Sequence, residues 1–264
     1  MRSALTIAGS DSSAGAGVQA DLKTFAAHGI YGVSAITSVT AQNTRGICGV
    51  VDLPPEFVRS QIEALAEDIE IVAVKTGMLA NAGIVSAVAD IIRKLRLPMV
   101  VVDPVLTAGD GRPLLAPDAI AILKTVLFPL AEVVTPNTVE AGQLADIRVG
   151  SLEEAREAAS RIHALGPHVV IVKGGHLEGD HAIDVFYDGR TFKELAALRI
   201  AGSNLHGTGC TFASAVAANL ALGHAAATAA EKAKAYVTGA IEHGLRIGRG
   251  RGLLDHFWNQ RLYS

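Results

Sequence analysis

Short apolar runs rich in β-branched residues recur along the chain, with room for one helix between most of them. The runs MVVVD and VVIVK are apolar without alternation. That suits strands buried on both faces of a parallel sheet. The pattern predicts strands over Ala4–Ala8, Gly32–Val39, Val50–Leu53, Ile71–Thr76, Met99–Asp103, Glu132–Thr135, Val169–Lys173, Ala182–Tyr187 and Ala196–Ile200. Helices are predicted between them. Pro54–Asp68 opens on prolines, which fit a first helical turn. Ile84–Leu95, Pro117–Leu127 and Leu152–Leu165 follow, the last behind the capping-box pattern Ser151-Leu-Glu-Glu154. From Thr208 to about Ile247 the chain reads as alanine-rich helix, divided near Gly223 and His224. Alternating strand and helix predicts an α/β sandwich with a mainly parallel sheet. No linker or repeat divides it, so a single domain over residues 1–264 is expected. Ligands in such folds sit beyond the carboxyl ends of the strands. The loops after Ala8, Val39, Thr76, Asp103, Thr135 and Lys173 should therefore carry the chemistry.

Composition narrows the partners. Half of the 264 residues are hydrophobic and 19% are charged, enough for a sizeable core and against disorder. A net charge of -3 leaves no basic surplus for nucleic acid or an anionic membrane. Aromatics are 5%, too few for a base-stacking platform. No apolar run reaches the length of a membrane span, and the N-terminus lacks a signal-peptide pattern. Cys48 and Cys210 read as thiols in a reducing compartment, so a cytoplasmic protein is expected.

The loops hold the candidate chemistry. Gly15-Ala-Gly17-Val-Gln-Ala20 matches a dinucleotide GxGxxA pattern, but it lies too far from its strand and lacks the acid expected about 20 residues on. A small-residue loop that admits a ligand close to the backbone is the better reading. Asp21 falls about 60° from Val18 on the following helix, at the edge of its apolar face. It is either an ordinary first-turn acid, favoured by the helix dipole, or a carboxylate aimed into a pocket at the sheet edge. Gln42 in TAQNT can stabilise a turn or bind a heterocycle edge through one donor and one acceptor. Met78 after KTG can line a flat ligand or fill core. Asp103 ends a buried strand, where a carboxylate needs a partner or a cation. Asn137 and Glu140 in TPNTVEA are spaced as N-cap and N3, which capping alone explains. They also face the strand-end cleft of Asp103, where oxygen ligands would suit Mg²⁺. Lys173 in VKGGH can snorkel to solvent or meet a phosphate. In HGTGC, the amides from Gly207 through Thr208 and Gly209 to Cys210 open a helix and can form an anion nest.

In order, AGSDSSAGAGVQADLKTF, TAQNT, KTGML, DPV, TPNTVEA, VKGGH and HGTGC resemble the hydroxymethylpyrimidine/phosphomethylpyrimidine kinases of thiamin biosynthesis. The resemblance spans nearly the whole chain, and motifs that are weak singly are specific together. It implies a ribokinase-like three-layer α/β/α sandwich with a mainly parallel central sheet, a homodimer, and ATP with Mg²⁺ as cofactors. It implies that the Gly9 backbone, Asp21 and Gln42 read the polar edge of an aminopyrimidine, with Met78 and Val105 packed on the ring. Asp103, Asn137, Glu140, Lys173, Thr208 and Lys234 would lie near the nucleotide, with Asp103 and Glu140 toward the metal. The backbone of Gly207–Cys210 would be the anion hole. Two departures stand out: Ala14 stands where a glycine is common, and LTAGDGRPLL lacks a lysine that many members carry.

Cys210 occupies the place of the aspartate base in related sugar kinases. A helix N-terminus lowers a thiol's pKa, but the nest must also hold a phosphoryl group that a thiolate would repel. Cys210 is therefore expected to be a weak or late base, with the amides mattering more. Two other readings remain open on this scaffold: a vitamin B6 kinase, since pyridoxine also carries a hydroxymethyl group on a flat ring, and a non-catalytic pyrimidine-binding protein.

Overall fold

The computed structural model describes residues 1–108, 111–175, 179–200 and 205–260. Among these residues nine strands form one sheet in the order β3-β2-β1-β4-β5-β6-β7-β8-β9. They are β1 (Ser3–Asp11), β2 (Tyr31–Asn43), β3 (Gly46–Asp52), β4 (Ile71–Thr76), β5 (Val100–Val102), β6 (Val133–Val134), β7 (Val169–Val172), β8 (His181–Tyr187) and β9 (Phe192–Leu198). From β2 across to β7 the pairings are parallel; β3, β8 and β9 extend the edges antiparallel. The eight helices are α1 (Gly17–Ala27), α2 (Pro55–Ala66), α3 (Ala82–Leu95), α4 (Pro117–Ile122), α5 (Thr138–Ala145), α6 (Leu152–His163), α7 (Thr208–Ala221) and α8 (Ala226–Glu242), again among the described residues.

The continuous apolar runs are explained by two cores, one on each face of the sheet. Leu5, Ile7, Val100, Val102, Val134, Val170 and Val172 turn to one face, under α2, α3, α5 and α6. Their neighbours Ala4, Val101, Val133, Val169 and Ile171 turn to the other, under α1, α7 and α8. Successive side chains on a strand point to opposite faces, so a strand covered on both sides must be apolar at every position. The alanines of α7 and α8 let these helices pack closely, with Ala215, Ala217, Ala218, Ala229, Ala230 and Ala233 fully buried. Gly223, at φ 90°, ends α7 as the sequence predicts. The predicted Pro117–Leu127 helix widens part-way along: α4 passes into a π-type turn over Leu123–Leu127.

Two strands run past the ends that periodicity suggests. β2 continues through Gln42 and Asn43 because β3 supplies antiparallel partners there, pairing Gln42 with Ile47 and Asn43 with Gly46. β1 continues to Asp11, which pairs with Thr40 across a register shift between Ala8 and Ser10. Gln42 thus stands on a strand, not in a turn. The same edge leaves Val50 and Val51 exposed.

One buried histidine makes the fold pH-sensitive. His256 is 3% exposed, and its Nε2 meets Thr211 Oγ1 at 3.1 Å. Burial, with Lys23 nearby, lowers its pKa to about 4. As pH falls from about 6.5 to about 4, the unfolded chain takes up this proton and the folded one does not, removing about 3 kcal/mol. Glu140 acts in the opposite direction, because burial pushes its carboxyl up to about 7. Denaturant titrations of wild type and His256→Gln across this range isolate the histidine. The variant is expected to lose less stability on acidification; parallel pH curves would refute the assignment.

Candidate active site

β1 and β4 are neighbours, but the chain leaves them toward opposite sides of the sheet, to β2 and to β5. A crevice opens above such a switch point. Here it is a cavity of about 540 Å³ at the carboxyl ends of the strands. Its wall over β1, β2 and β4 carries Gly9, Gln42 and Met78, joined by Val105 from beyond β5. A Cβ on Gly9 would stand 3.2 Å from Met78 Sδ, so the glycine leaves the space in front of the methionine free. Met78 and Val105 offer apolar surface here and Gln42 a donor and an acceptor, suited to an uncharged ring.

The other wall is charged. Lys173 Nζ donates to Asp103 Oδ1 at 2.8 Å, and Thr135 Oγ1 reaches the same oxygen at 3.3 Å. Both halves of the Asn137–Glu140 capping box form: Glu140 N–H donates to Asn137 Oδ1 at 2.9 Å, and Asn137 N–H to Glu140 Oε2 at 2.8 Å. Capping does not withdraw Glu140 from the cavity, which it still lines. Burial, opposed by Lys173 and reinforced by Asp103, raises its pKa to about 7. For Lys173, burial is outweighed by Asp103 and Glu140, and its pKa is raised, so it stays cationic. Among the described residues no cluster of three or more His, Cys, Asp or Glu forms a ready metal cage.

The N-terminus of α7 lies between the two walls. Gly207 caps it at φ 91°, and a Cβ there would fall 1.8 Å from Gly15 O. Only glycine satisfies both the dihedral and the approach. The first amides of a helix have no intrahelical partners, and Thr208, Gly209 and Cys210 all line the cavity. The Cys210 thiol is not acidified by this position. Burial pushes its pKa up to about 11; Lys75 and the Gly17 amide pull down, while Asp21 and Asp103 push up. At neutral pH it rests as a thiol.

The phosphomethylpyrimidine kinase family model matches residues 11–255. A hydroxymethylpyrimidine/phosphomethylpyrimidine kinase of Rhizobium meliloti is 49% identical over 257 residues, covering 96% of each chain. The chain belongs to the phosphomethylpyrimidine kinase family. A thiamine biosynthesis bifunctional protein of Geobacter sulfurreducens is 48% identical over 96% of this chain, which spans 52% of that longer protein. Among solved structures, the ADP complex of Bacillus subtilis pyridoxal kinase superposes with a TM-score of 0.93 at 38% identity, covering 99% of each chain. The three-layer ribokinase-like fold is thereby established for this kinase.

Two residues expected in the kinase's cleft are elsewhere. Asp21 is fully buried beneath it and does not line the cavity. Its oxygens accept from Thr6 Oγ1 and Ser214 Oγ, each at 2.6 Å, and from Lys75 Nζ at 2.9 Å. Those partners leave it unable to read a substrate edge. Lys234 is ion-paired with Asp184 at 2.9 Å and lines a separate groove between β9 and α8. Asp184 Oδ1 in turn accepts from Gly174 N–H at 2.9 Å, so Lys234 steadies the turn after Lys173. His176 of VKGGH lies outside the described residues, as do positions 109 and 110 of LTAGDGRPLL. Ala14 has φ 59°, left-handed backbone that favours the glycine common in this family.

Two cavity residues were not anticipated as such. Asp11 Oδ1 accepts from Ser13 N–H and Oγ, each at 2.8 Å, and Oδ2 from the amides of Gly15 and Ala16 at 3.2 and 2.9 Å. His206 Nε2 adds a fifth contact, at 2.8 Å from Oδ2. Burial raises the Asp11 pKa, but these bonds, led by His206, outweigh it and hold it at about 2. Asp-Ser-Ser carries an Asx-turn signal. Nothing local to His206 announces a partner 195 residues away.

Proposed function

We propose that this kinase transfers the γ-phosphoryl group of ATP to the hydroxymethyl group of 4-amino-5-hydroxymethyl-2-methylpyrimidine, then phosphorylates the monophosphate to the diphosphate. The observation that carries the reading is the set of groups that line one cavity: Gly9, Gln42, Met78 and Val105, the first residues of α7, and Lys173, Asp103 and Glu140. Gly9, Gln42, Met78 and Val105 would hold the ring. The amides of Gly207–Cys210 would receive the charge of the moving phosphoryl group, which needs positioning and neutralisation more than covalent chemistry. Lys173 would meet the phosphates as a point charge. Two carboxylates without a cage fit Mg²⁺ that arrives on the nucleotide. When bound it would offset phosphate charge; Asp103 and Glu140 would hold it, directly or through water. Cys210, resting protonated, would release its proton late if at all.

Purified protein with ATP, Mg²⁺ and the pyrimidine is expected to form ADP, and mass spectrometry to show the monophosphate followed by the diphosphate. No ADP and no phosphorylated product would sink the proposal. The superposition on a pyridoxal kinase supports a second reading, a vitamin B6 kinase. Comparing kcat/KM for the pyrimidine and pyridoxal decides between them.

A homodimer in the reducing cytoplasm is the assembly we propose with this activity. The exposed Val39, Val50 and Val51 of the β2–β3 edge and the free, exposed Cys48 support it. Sedimentation at micromolar concentration is expected to give twice the chain mass, and Val51→Lys to shift it toward the monomer. A wild-type monomer there would refute the dimer.

A further inference from the structure

Gln42 is held at four points. Its backbone N–H donates to Ser12 Oγ and its carbonyl accepts from the same hydroxyl, each at 2.8 Å. Its side-chain amide has one end 3.1 Å from Thr40 Oγ1 and the other 3.0 Å from His206 Nε2. Proton counting fixes which end is which. Asp11 is an ionised acceptor, so the His206 Nε2 that meets it at 2.8 Å must carry the hydrogen. An amide nitrogen beside that same Nε2 would oppose two donors. Thr40 sharpens the count. Its single hydroxyl hydrogen is drawn to Ser10 O at 3.0 Å, so it has a lone pair, not a second proton, for the amide. Oxygen and nitrogen of a glutamine amide are assigned from the bonding network. Oxygen toward His206 and nitrogen toward Thr40 is the assignment that sets no two donors against each other, with the Nε2 hydrogen shared between Asp11 and the amide oxygen.

We propose that Asp11 and His206 are positioning residues that lock the Gln42 amide in this orientation, and so set the acceptor specificity of the cavity. The single His206 Nε2–H is shared in a three-centre bond between Asp11 Oδ2 at 2.8 Å and the Gln42 oxygen at 3.0 Å, and the Gln42 amide nitrogen donates to Thr40 Oγ1 at 3.1 Å. One lone pair and one N–H of the amide remain for the ligand, in a fixed left-to-right order. A ring bearing an amino group beside a ring nitrogen presents one donor and one acceptor in fixed order, so a reversed amide would set donor against donor. Discrimination is strongest where a mismatch leaves polar groups unpaired. The fold holds His206 itself firmly. Its N–H donates to Gly252 O at 2.9 Å, and its ring lies where a Cβ on Gly15 would stand, 2.6 Å from Cδ2. Gly15 is thus kept small by the imidazole.

The inference rests on the pyrimidine reading of the cavity, and its test separates the two. In the wild type, ¹⁵N-detected histidine spectra are expected to show a protonated Nε2 on His206; a bare Nε2 overturns the proposal. His206→Leu removes the donor. It is expected to raise KM for the pyrimidine by about tenfold or more, to narrow the preference over pyridoxal, and to change KM for ATP less than about twofold. His206→Gln, which returns an N–H near the place of Nε2, should recover most of the loss. Equal losses toward ATP and pyrimidine, or no rescue by glutamine, would make His206 merely structural and overturn the proposal. If the wild type turns nothing over, the kinase reading fails by itself. Calorimetric binding of the pyrimidine to the same variants and the spectra of the wild type then decide the positioning role. The spectra also decide it should the leucine variant not fold.

Discussion

Gly207→Ala is expected to lower kcat by about 10²–10³ at saturating ATP, the loss typical when an anion-hole donor is displaced. Two independent constraints converge on this residue. Its φ of 91° is strained for any residue with a Cβ. The added carbon would also fall 1.8 Å from Gly15 O, which is backbone and cannot swing aside. The first turn of α7 must therefore move, and the amides of Thr208, Gly209 and Cys210 move with it. Cys210→Ala keeps those amides and removes only the thiol. That thiol rests protonated, with a pKa pushed by burial to about 11, so a loss of about tenfold or less is expected in a largely dissociative transfer. Melting temperatures of both variants separate misplacement from unfolding. A Cys210→Ala variant that binds normally yet falls to background would make the thiol the base after all. A Gly207→Ala variant of full activity would remove the amides from the mechanism.

How much of this was legible in the sequence depends on how local each cause is. Strands buried on both faces announce themselves, because every position must be apolar; the largely exposed edge strands are less legible, β3 starting at Gly46 where Val50 is predicted and β9 at Phe192 where Ala196 is predicted. The cap at Asn137–Glu140 is equally local; structure adds that capping and facing the cavity are compatible rather than rival readings of Glu140. Gln42 stands out for its chemistry but falls in the loop beyond the predicted strand end at Val39, because its place on a strand depends on β3, an antiparallel partner that periodicity in β2 does not report. Asp21 is illegible for a similar reason. Its position at the edge of the apolar face of α1 suits an ordinary first-turn acid or a pocket carboxylate, and burial against Lys75 on β4 and Ser214 on α7, distant in sequence, is neither. Lys234 likewise found Asp184, not the cleft.

Lys75→Met is expected to destabilise the fold by about 3–5 kcal/mol, the cost of stranding one member of a buried ion pair. For a chain of this size that lowers the melting temperature by on the order of 10 °C. Lys75 and Asp21 are both completely buried, and their 2.9 Å contact ties β4 to α1. Burial pulls the ammonium's pKa down, but Asp21, then Cys210 and Asp103, raise it beyond the ordinary lysine range, so Lys75 stays cationic. Removing the ammonium leaves the Asp21 carboxylate with only the Thr6 and Ser214 hydroxyls. The double variant Asp21→Asn/Lys75→Met makes a sharper test. An asparagine can accept from Ser214 through its oxygen and donate to Thr6 Oγ1 through its nitrogen, so every remaining polar group keeps a partner and no charge is buried. The double variant is therefore expected to be more stable than Lys75→Met alone, although it carries one more substitution. Additive losses, measured by denaturant titration of all four proteins, would contradict a coupled pair. Thiol reactivity should report the same coupling, because Asp21 pushes the Cys210 thiol up and Lys75 pulls it down. With Lys75→Met alone the thiol faces an uncompensated carboxylate, so its alkylation by iodoacetamide should slow relative to wild type and recover in the double variant.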